Sequence, residues 1–196
     1  VRAPKGVTVK APAEVTAVRG GVTTTRVELS VPADAASRVF TVPIRLGDQE
    51  RTVTVRAYPA AGGPDLARTG RATSSGDEAS DFPPFAALDG SPKTRWSSPP
   101  ADDAWWQLEL PRPTRLGRLV LHWQDELHAT RYRVQTSPDG RTWRDAATIT
   151  DGKGGTETVR LDAPGTRFVR VQGVKRAVES AGYSLVDVEA YAVRKG

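Results

Sequence analysis

Oxygen-bearing residues gather in one short stretch, Ala86-Ala-Leu-Asp-Gly-Ser-Pro-Lys-Thr-Arg-Trp-Ser-Ser98. Asp89-Gly90, followed closely by a proline, makes a tight loop whose carbonyls must point somewhere. The Asp89 carboxylate, the Thr94 hydroxyl and loop carbonyls are the hard donors that a calcium ion gathers, six to eight of them at about 2.3–2.6 Å. An Asp-Gly pair is also an ordinary turn, and spacing alone leaves both readings open. A second carboxylate, Glu189, falls near the end of Tyr183-Ser-Leu-Val-Asp-Val-Glu-Ala-Tyr191. By itself it is a solvent-facing side chain. As the missing carboxylate of an ion shell it would have a definite role.

Tryptophan is the other residue type that could do chemistry, because an indole can cover the apolar face of a sugar. Trp96, Trp105, Trp106, Trp123 and Trp143 are available. Trp106, Leu108 and Leu110 share one strand face, however, so most of the five are expected in core or rim packing. His122 alternates with Leu121 and Trp123 and is expected to face solvent, with His128 in the loop that follows. Two histidines without cysteine and without an HExxH spacing do not make a zinc site. No nucleophile elbow, phosphate loop or dinucleotide fingerprint occurs, and no carboxylate pair is marked for glycosidase work. No catalytic residue is expected.

Composition narrows the classes further. The net charge is +5, but Arg and Lys are interleaved with Asp and Glu instead of forming a basic stripe, so no nucleic-acid partner is expected. No apolar run approaches the roughly 20 residues of a membrane helix. There is no cysteine, hence no disulfide framework, and no methionine, from which we expect a piece of a longer protein.

The elements that must position these residues are strands. Short runs rich in Val, Thr, Leu and Tyr alternate apolar with polar residues between Gly, Pro and Asp turns. Examples are 52–58, 118–123, 132–136 and 167–172, with Ser137-Pro-Asp-Gly140 as a hairpin turn between two of them. Two-residue periodicity predicts antiparallel sheets packed as a sandwich. Pro59-Ala-Ala-Gly-Gly-Pro64 carries no periodic pattern and reads as a linker. Upstream, strands are expected at 7–9, 15–18, 23–31, 38–46 and 51–58, enough for a small immunoglobulin-like sandwich. The expected organisation is therefore 1–58, a linker at 59–66, a larger sandwich at 67–193 and a tail at 194–196.

Six segments then occur in order: Ala-x-Asp-Gly-x-x-x-Thr-Arg-Trp-Ser-Ser, Trp-Gln-Leu-Glu-Leu, the strand ending at Trp123, Val-Gln-Thr-Ser-x-Asp-Gly-x-x-Trp, Phe-Val-Arg-Val, and Gly-Tyr-Ser-Leu-x-x-Val-Glu-Ala-Tyr. Over about residues 67–193 this resembles the coagulation factor V/VIII type C, or discoidin, family. Within it the chain is similar to the family 32 carbohydrate-binding modules. The preceding part resembles, less specifically, immunoglobulin-like domains of secreted bacterial glycoside hydrolases, including family 92 α-mannosidases.

The resemblance implies an all-β protein, a discoidin-type jelly-roll β-sandwich plus a small immunoglobulin-like β-sandwich. It implies a structural calcium ion held by the carboxylates of Asp89 and Glu189, the Thr94 hydroxyl and the backbone oxygens of Ala86 and Ser91. It places ligand on loops 74–85, 95–103, 124–131 and 175–183, where Glu78, Arg95, Gln124, Asp125, His128 and Arg176 are the polar candidates. Relatives that bind glucosamine-type sugars commonly carry an aromatic where this chain has Ala181, and often a Tyr where it has Leu127-His128. The expected function is a secreted, extracellular, monomeric accessory region of a bacterial glycoside hydrolase that binds glycan or polysaccharide beside the catalytic domain of its parent chain. Its rival is a pair of domains that stabilises that catalytic domain without binding sugar. No membrane partner is expected, since Phe82-Pro-Pro-Phe85 is the sole apolar loop tip.

Overall fold

A computed structural model describes residues 5–16, 19–32 and 35–194, with Leu46 as backbone only. The chain divides between Pro59 and Ala60 into two compact units.

In the first unit, β1 (Thr8–Lys10) pairs antiparallel with β2 (Glu28–Ser30), and β3 (Arg38–Leu46) pairs antiparallel with β4 (Gln49–Ala57). The Leu46–Gln49 turn closes the second ladder with Gly47 at φ 60°, a conformation that favours glycine. The expected strand at 23–31 shortens to three residues. Val15 and Thr16 are not in a strand, and residues 17–18 of that expected strand lie outside the described residues. Among the described hydrophobic residues of this unit only Val42 is buried. The described residues of this unit thus form two two-stranded antiparallel ladders.

The second unit is a β-sandwich, as the alternating patterns require. It contains β5 (Arg71–Ser74), β6 (Trp96–Ser97), β7 (Trp105–Trp123), β8 (Ala129–Ser137), β9 (Arg144–Ile149), β10 (Thr156–Arg176) and β11 (Ser184–Ala192). Its sheet is hydrogen-bonded in the order β6-β11-β7-β10-β8-β9, with β5 on β7. The two long strands belong to both layers. Residues 105–110 of β7 pair with β5 and with the second half of β10, whereas residues 116–123 pair with β11 and the first half of β10. The crossover lies where Pro111, Pro113 and Pro164 remove ladder donors and the register of β10 on β7 slips three times.

Burial follows the two-residue period on each side of that bend. Trp106, Leu108 and Leu110 of β7 are buried, then Leu119, Leu121 and Trp123. From β10 come Val159, Leu161 and Ala163, then Val169 and Val171. With Trp96, Tyr132, Val134, Tyr183, Leu185 and Val188 they form one core. The Ser137–Gly140 turn joins β8 to β9 as expected, with the Ser137 hydroxyl accepting from the amides of Asp139 and Gly140. The segment read as a linker is only partly free. Gly62 and Leu66 donate to the carbonyls of Ala192 and Ala190, and Ala61 bridges Val193, so 60–66 is laced to the last strand.

Candidate functional site

Strand β6 has two residues, yet loops 74–85, 124–131 and 175–183 are all tied to it or to its partner β11. The Glu78 amide donates to the Ser97 carbonyl at 2.7 Å, and the Ser98 amide donates to the Tyr183 carbonyl at 2.9 Å. The Gln124 amide donates to the Ser184 carbonyl, and the Ser184 amide to that of Leu127. Beneath them the Ser97 and Ser184 hydroxyls are buried and 2.7 Å apart. The Ser184 hydroxyl also lies 2.9 Å from the Gln124 Oε1 acceptor. Gly182 is required here, because a Cβ at that position would lie 1.8 Å from the Ser98 carbonyl oxygen.

The six polar candidates separate by what already holds them. Glu78 and Asp125 are exposed, and Asp125 has φ 42°, a strained value for a residue other than glycine. The Arg95 guanidinium stacks 4.0 Å above the Phe82 ring, and its Nε donates to the Ser97 hydroxyl at 3.2 Å. It is thus aimed, and among the described residues no other acceptor takes its remaining N–H groups. Gln124, His128 and Arg176 instead build the loops. The Arg176 side chain donates to Asp102 at 2.9 Å and to the carbonyls of Glu179 and Ala181. Its hydrogen bonds hold the Asp102 carboxyl below the ordinary carboxylate value. The His128 carbonyl receives the Ala177 amide, and its ring packs on Gly154, where a Cβ would come within 2.6 Å of Nδ1.

Charge at this end runs against the rest of the molecule. Loops 74–85, 95–103, 124–131 and 175–183 carry eight carboxylates against four Arg and Lys side chains, in a chain whose net charge is +5. Asp81, Asp102, Asp103, Glu126 and Glu179 are exposed along with Glu78 and Asp125. Sequence reading selected single residues in these loops and missed their common sign.

Of the five tryptophans, Trp96, Trp106 and Trp123 are buried. Their indole N–H groups donate to Asp77, the Pro84 carbonyl and Glu157 respectively. Trp105 and Trp143 are half-buried and flank the Arg170 guanidinium at 4.3 and 4.0 Å.

The expected metal donors form two groups. Asp89, Ser91 and Thr94 do meet: Asp89 accepts from the Ser91 amide at 2.8 Å and from the Thr94 hydroxyl at 2.8–2.9 Å. Ala86 is buried in the 3₁₀ turn Pro84–Leu88 that leads into this loop. Glu189 has other partners, accepting from His122 at 2.9 Å and from the Tyr191 hydroxyl. Burial opposes its ionisation, but the hydrogen bonds from Tyr191 and His122 and the nearby His122 and Arg68 charges together hold its carboxyl below the usual value. His122, expected to face solvent, is half-buried for this reason.

His122, Asp187 and Glu189 place ligand atoms within 4.8 Å of one another, and Asp89 is not in that group. The acid that faces the Asp89 loop is Asp187, which sequence reading passed over. It meets that loop through Arg68, which donates to the Leu88 carbonyl at 2.8 Å and to both Asp187 oxygens at 2.8 and 2.6 Å. With Arg68 holding the Leu88 carbonyl and both Asp187 oxygens, the residues present do not fit a calcium ion between the Asp89 loop and β11.

Comparison with known proteins agrees with this architecture. The F5/8 type C domain family matches residues 71–187. Chitosan-binding module 1 of a chitosanase/glucanase from Paenibacillus sp. IK-5 is 33% identical, with a TM-score of 0.62 over 66% of this chain and 100% of that one. A family 32 module of NanJ from C. perfringens, at 14% identity, shares the fold, with a TM-score of 0.57 over 65% of this chain and 97% of that one. The polysaccharide lyase 8 family protein HylA of Enterococcus faecalis is 33% identical over 102 residues, 48% of this chain. The match covers only 7% of that protein's length.

Proposed function

This chain belongs to the F5/8 type C domain family, and on that premise we propose that its second unit is a non-catalytic module that binds glycan on the acidic loop end around β6. The observation that carries the reading is the convergence of those loops on Ser97 and Ser184, with Glu78 and Asp125 exposed and Arg95 aimed by Phe82. Carboxylate and guanidinium groups orient sugar hydroxyls by paired, charge-assisted hydrogen bonds. Gln124, His128 and Arg176 are supports for the loops.

The excess of carboxylates favours a cationic amino sugar over a neutral one, and the 33% identical chitosan-binding module supports the same class. A shallow site of this kind buries little area, so a Kd of about 10 µM to 1 mM is expected. Ala181 and Leu127-His128 supply no stacking ring, which leaves Phe82 and the exposed Phe85 as the apolar contacts. We further propose that the module keeps the catalytic domain of a larger secreted bacterial enzyme, of hydrolase or lyase type, close to its polymer.

An NMR titration with a glucosamine trimer tests this. Saturable shifts confined to the four loops support it. No shift with glucosamine, galactose or mannose oligomers overturns it.

A further inference from the structure

We infer that the Arg68 guanidinium is the resident cation of this sandwich, bracing the Asp89 loop against the last strand where a metal ion was expected from the sequence. Arg68 lies in the 3₁₀ turn Ala67–Thr69, at the entry to β5. Its side chain reaches three parts of the chain far apart in sequence. It pairs with Asp65 at 3.0 Å just before its own turn, with the Leu88 carbonyl immediately before Asp89, and with Asp187 on β11.

The planar fork suits these partners. Nη1 is shared between the Leu88 carbonyl and Asp187 Oδ1, each at 2.8 Å, while Nη2 takes Asp187 Oδ2 at 2.6 Å. Gly90 has φ 76°, and a Cβ there would approach Nη1 to 3.2 Å, so the loop backbone lies against the guanidinium. The Asp187 carboxylate is largely buried beside it, with 16% of its side chain exposed. Hydrogen bonding to Asp187 holds the Arg68 charge firmly in place.

The oxygens an ion would need are already committed. Both Asp187 oxygens and the Leu88 carbonyl accept from Arg68, and Asp89 accepts from Ser91 and Thr94. Glu189 accepts from His122 and Tyr191. A divalent ion taking the Leu88 and Asp187 oxygens would sit against a like charge and leave the guanidinium without its acceptors. A fixed side-chain cation does the same joining work without depending on metal supply. It does so at the base of the loop that carries Thr94 and Arg95.

Thermal melts of the whole chain test the inference, with EDTA or calcium chloride as the only additive. The wild type should melt at the same temperature, within about 1 °C, in either. Arg68→Ala should lower Tm by about 4–8 °C, with Arg68→Lys falling between because the ammonium keeps the charge but loses the fork. The Arg68→Ala/Asp187→Ala double variant should be no less stable than the weaker single one, as for two halves of one contact. A wild-type Tm that rises by several degrees in calcium, or additive losses in the double variant, would overturn the inference. Neither result depends on whether sugar is bound.

Discussion

The Ser97 and Ser184 hydroxyls lie 2.7 Å apart inside the sandwich and join the two-residue strand β6 to β11. Three of the six candidate ligand residues are tied directly to this pair. Glu78 is tied to the Ser97 carbonyl, Arg95 to the Ser97 hydroxyl and Gln124 to both the carbonyl and the hydroxyl of Ser184. A sheet edge this short has few ladder bonds of its own, so side-chain hydroxyls take over the joining.

Replacing Ser184 with Ala should therefore cost stability as well as order in the loops. The Ser184 hydroxyl serves Ser97, the Trp96 carbonyl and Gln124. Its removal leaves buried groups short of partners, a loss of about 1–3 kcal/mol. Urea unfolding should show the loss, and NMR should show broadened amides in loops 95–103 and 124–131. An unchanged midpoint would mean that the pair is not a hub.

Gly182→Ala should be worse than a loop substitution ordinarily is. The new methyl would meet the Ser98 carbonyl oxygen at 1.8 Å, and backbone cannot give way as a side chain can. The expected result is a folded core with loop 175–183 displaced. Tm should fall by several degrees, and glycan binding should be lost with no charge altered.

Glu157 holds the opposite flank of the same core. Its carboxylate accepts from the Tyr132 hydroxyl at 2.7 Å, the Trp123 indole at 3.0 Å and the Lys153 amide at 2.6 Å. Burial, and then the bond to Glu157, push the Tyr132 hydroxyl far above its ordinary ionisation range. Glu157→Ala leaves two buried donors unpaired, for a loss of about 2–4 kcal/mol, whereas Tyr132→Phe should cost less, because Trp123 keeps its acceptor. Chemical denaturation of the two variants would give the order.

The β8–β9 turn gives a pH prediction with a definite sign. The amides of Thr142 and Arg141 and the Ser137 hydroxyl hold the Asp139 carboxyl down at about 2. A carboxyl depressed in the folded state stabilises above its unfolded value, and the contribution is lost as pH falls through its folded one. Wild-type Tm should thus fall between about pH 4 and pH 2, and Asp139→Ala should flatten that interval while lowering Tm at neutral pH. An unaltered slope would show that the turn does not depend on the carboxylate.

The strand pattern of the second unit was legible because burial follows period two. Trp106, Leu108 and Leu110, and the Ser137–Gly140 turn, are where alternation and turn chemistry put them. The choice between Asp187 and Glu189 was not legible. Both lie on one face of β11, and the register slip between Leu185 and Asp187 decides what each of them meets. Arg68 could not have been paired with an acid 119 residues away from periodicity alone. In the first unit, alternation marked the two strands of the second ladder, and among the described hydrophobic residues only Val42 is enclosed. Alternation marks a strand without saying what covers it.

The central claim is recognition of a cationic glycan by the acidic loops. Calorimetric titration with a glucosamine trimer and with its fully N-acetylated counterpart tests it most directly. The free-amine sugar should bind at least about fivefold more tightly. Its advantage should shrink between about 0.02 M and 0.2 M salt and disappear in Glu78→Gln/Asp125→Asn. Equal affinity for the two sugars, or an advantage indifferent to salt and to both substitutions, would contradict it.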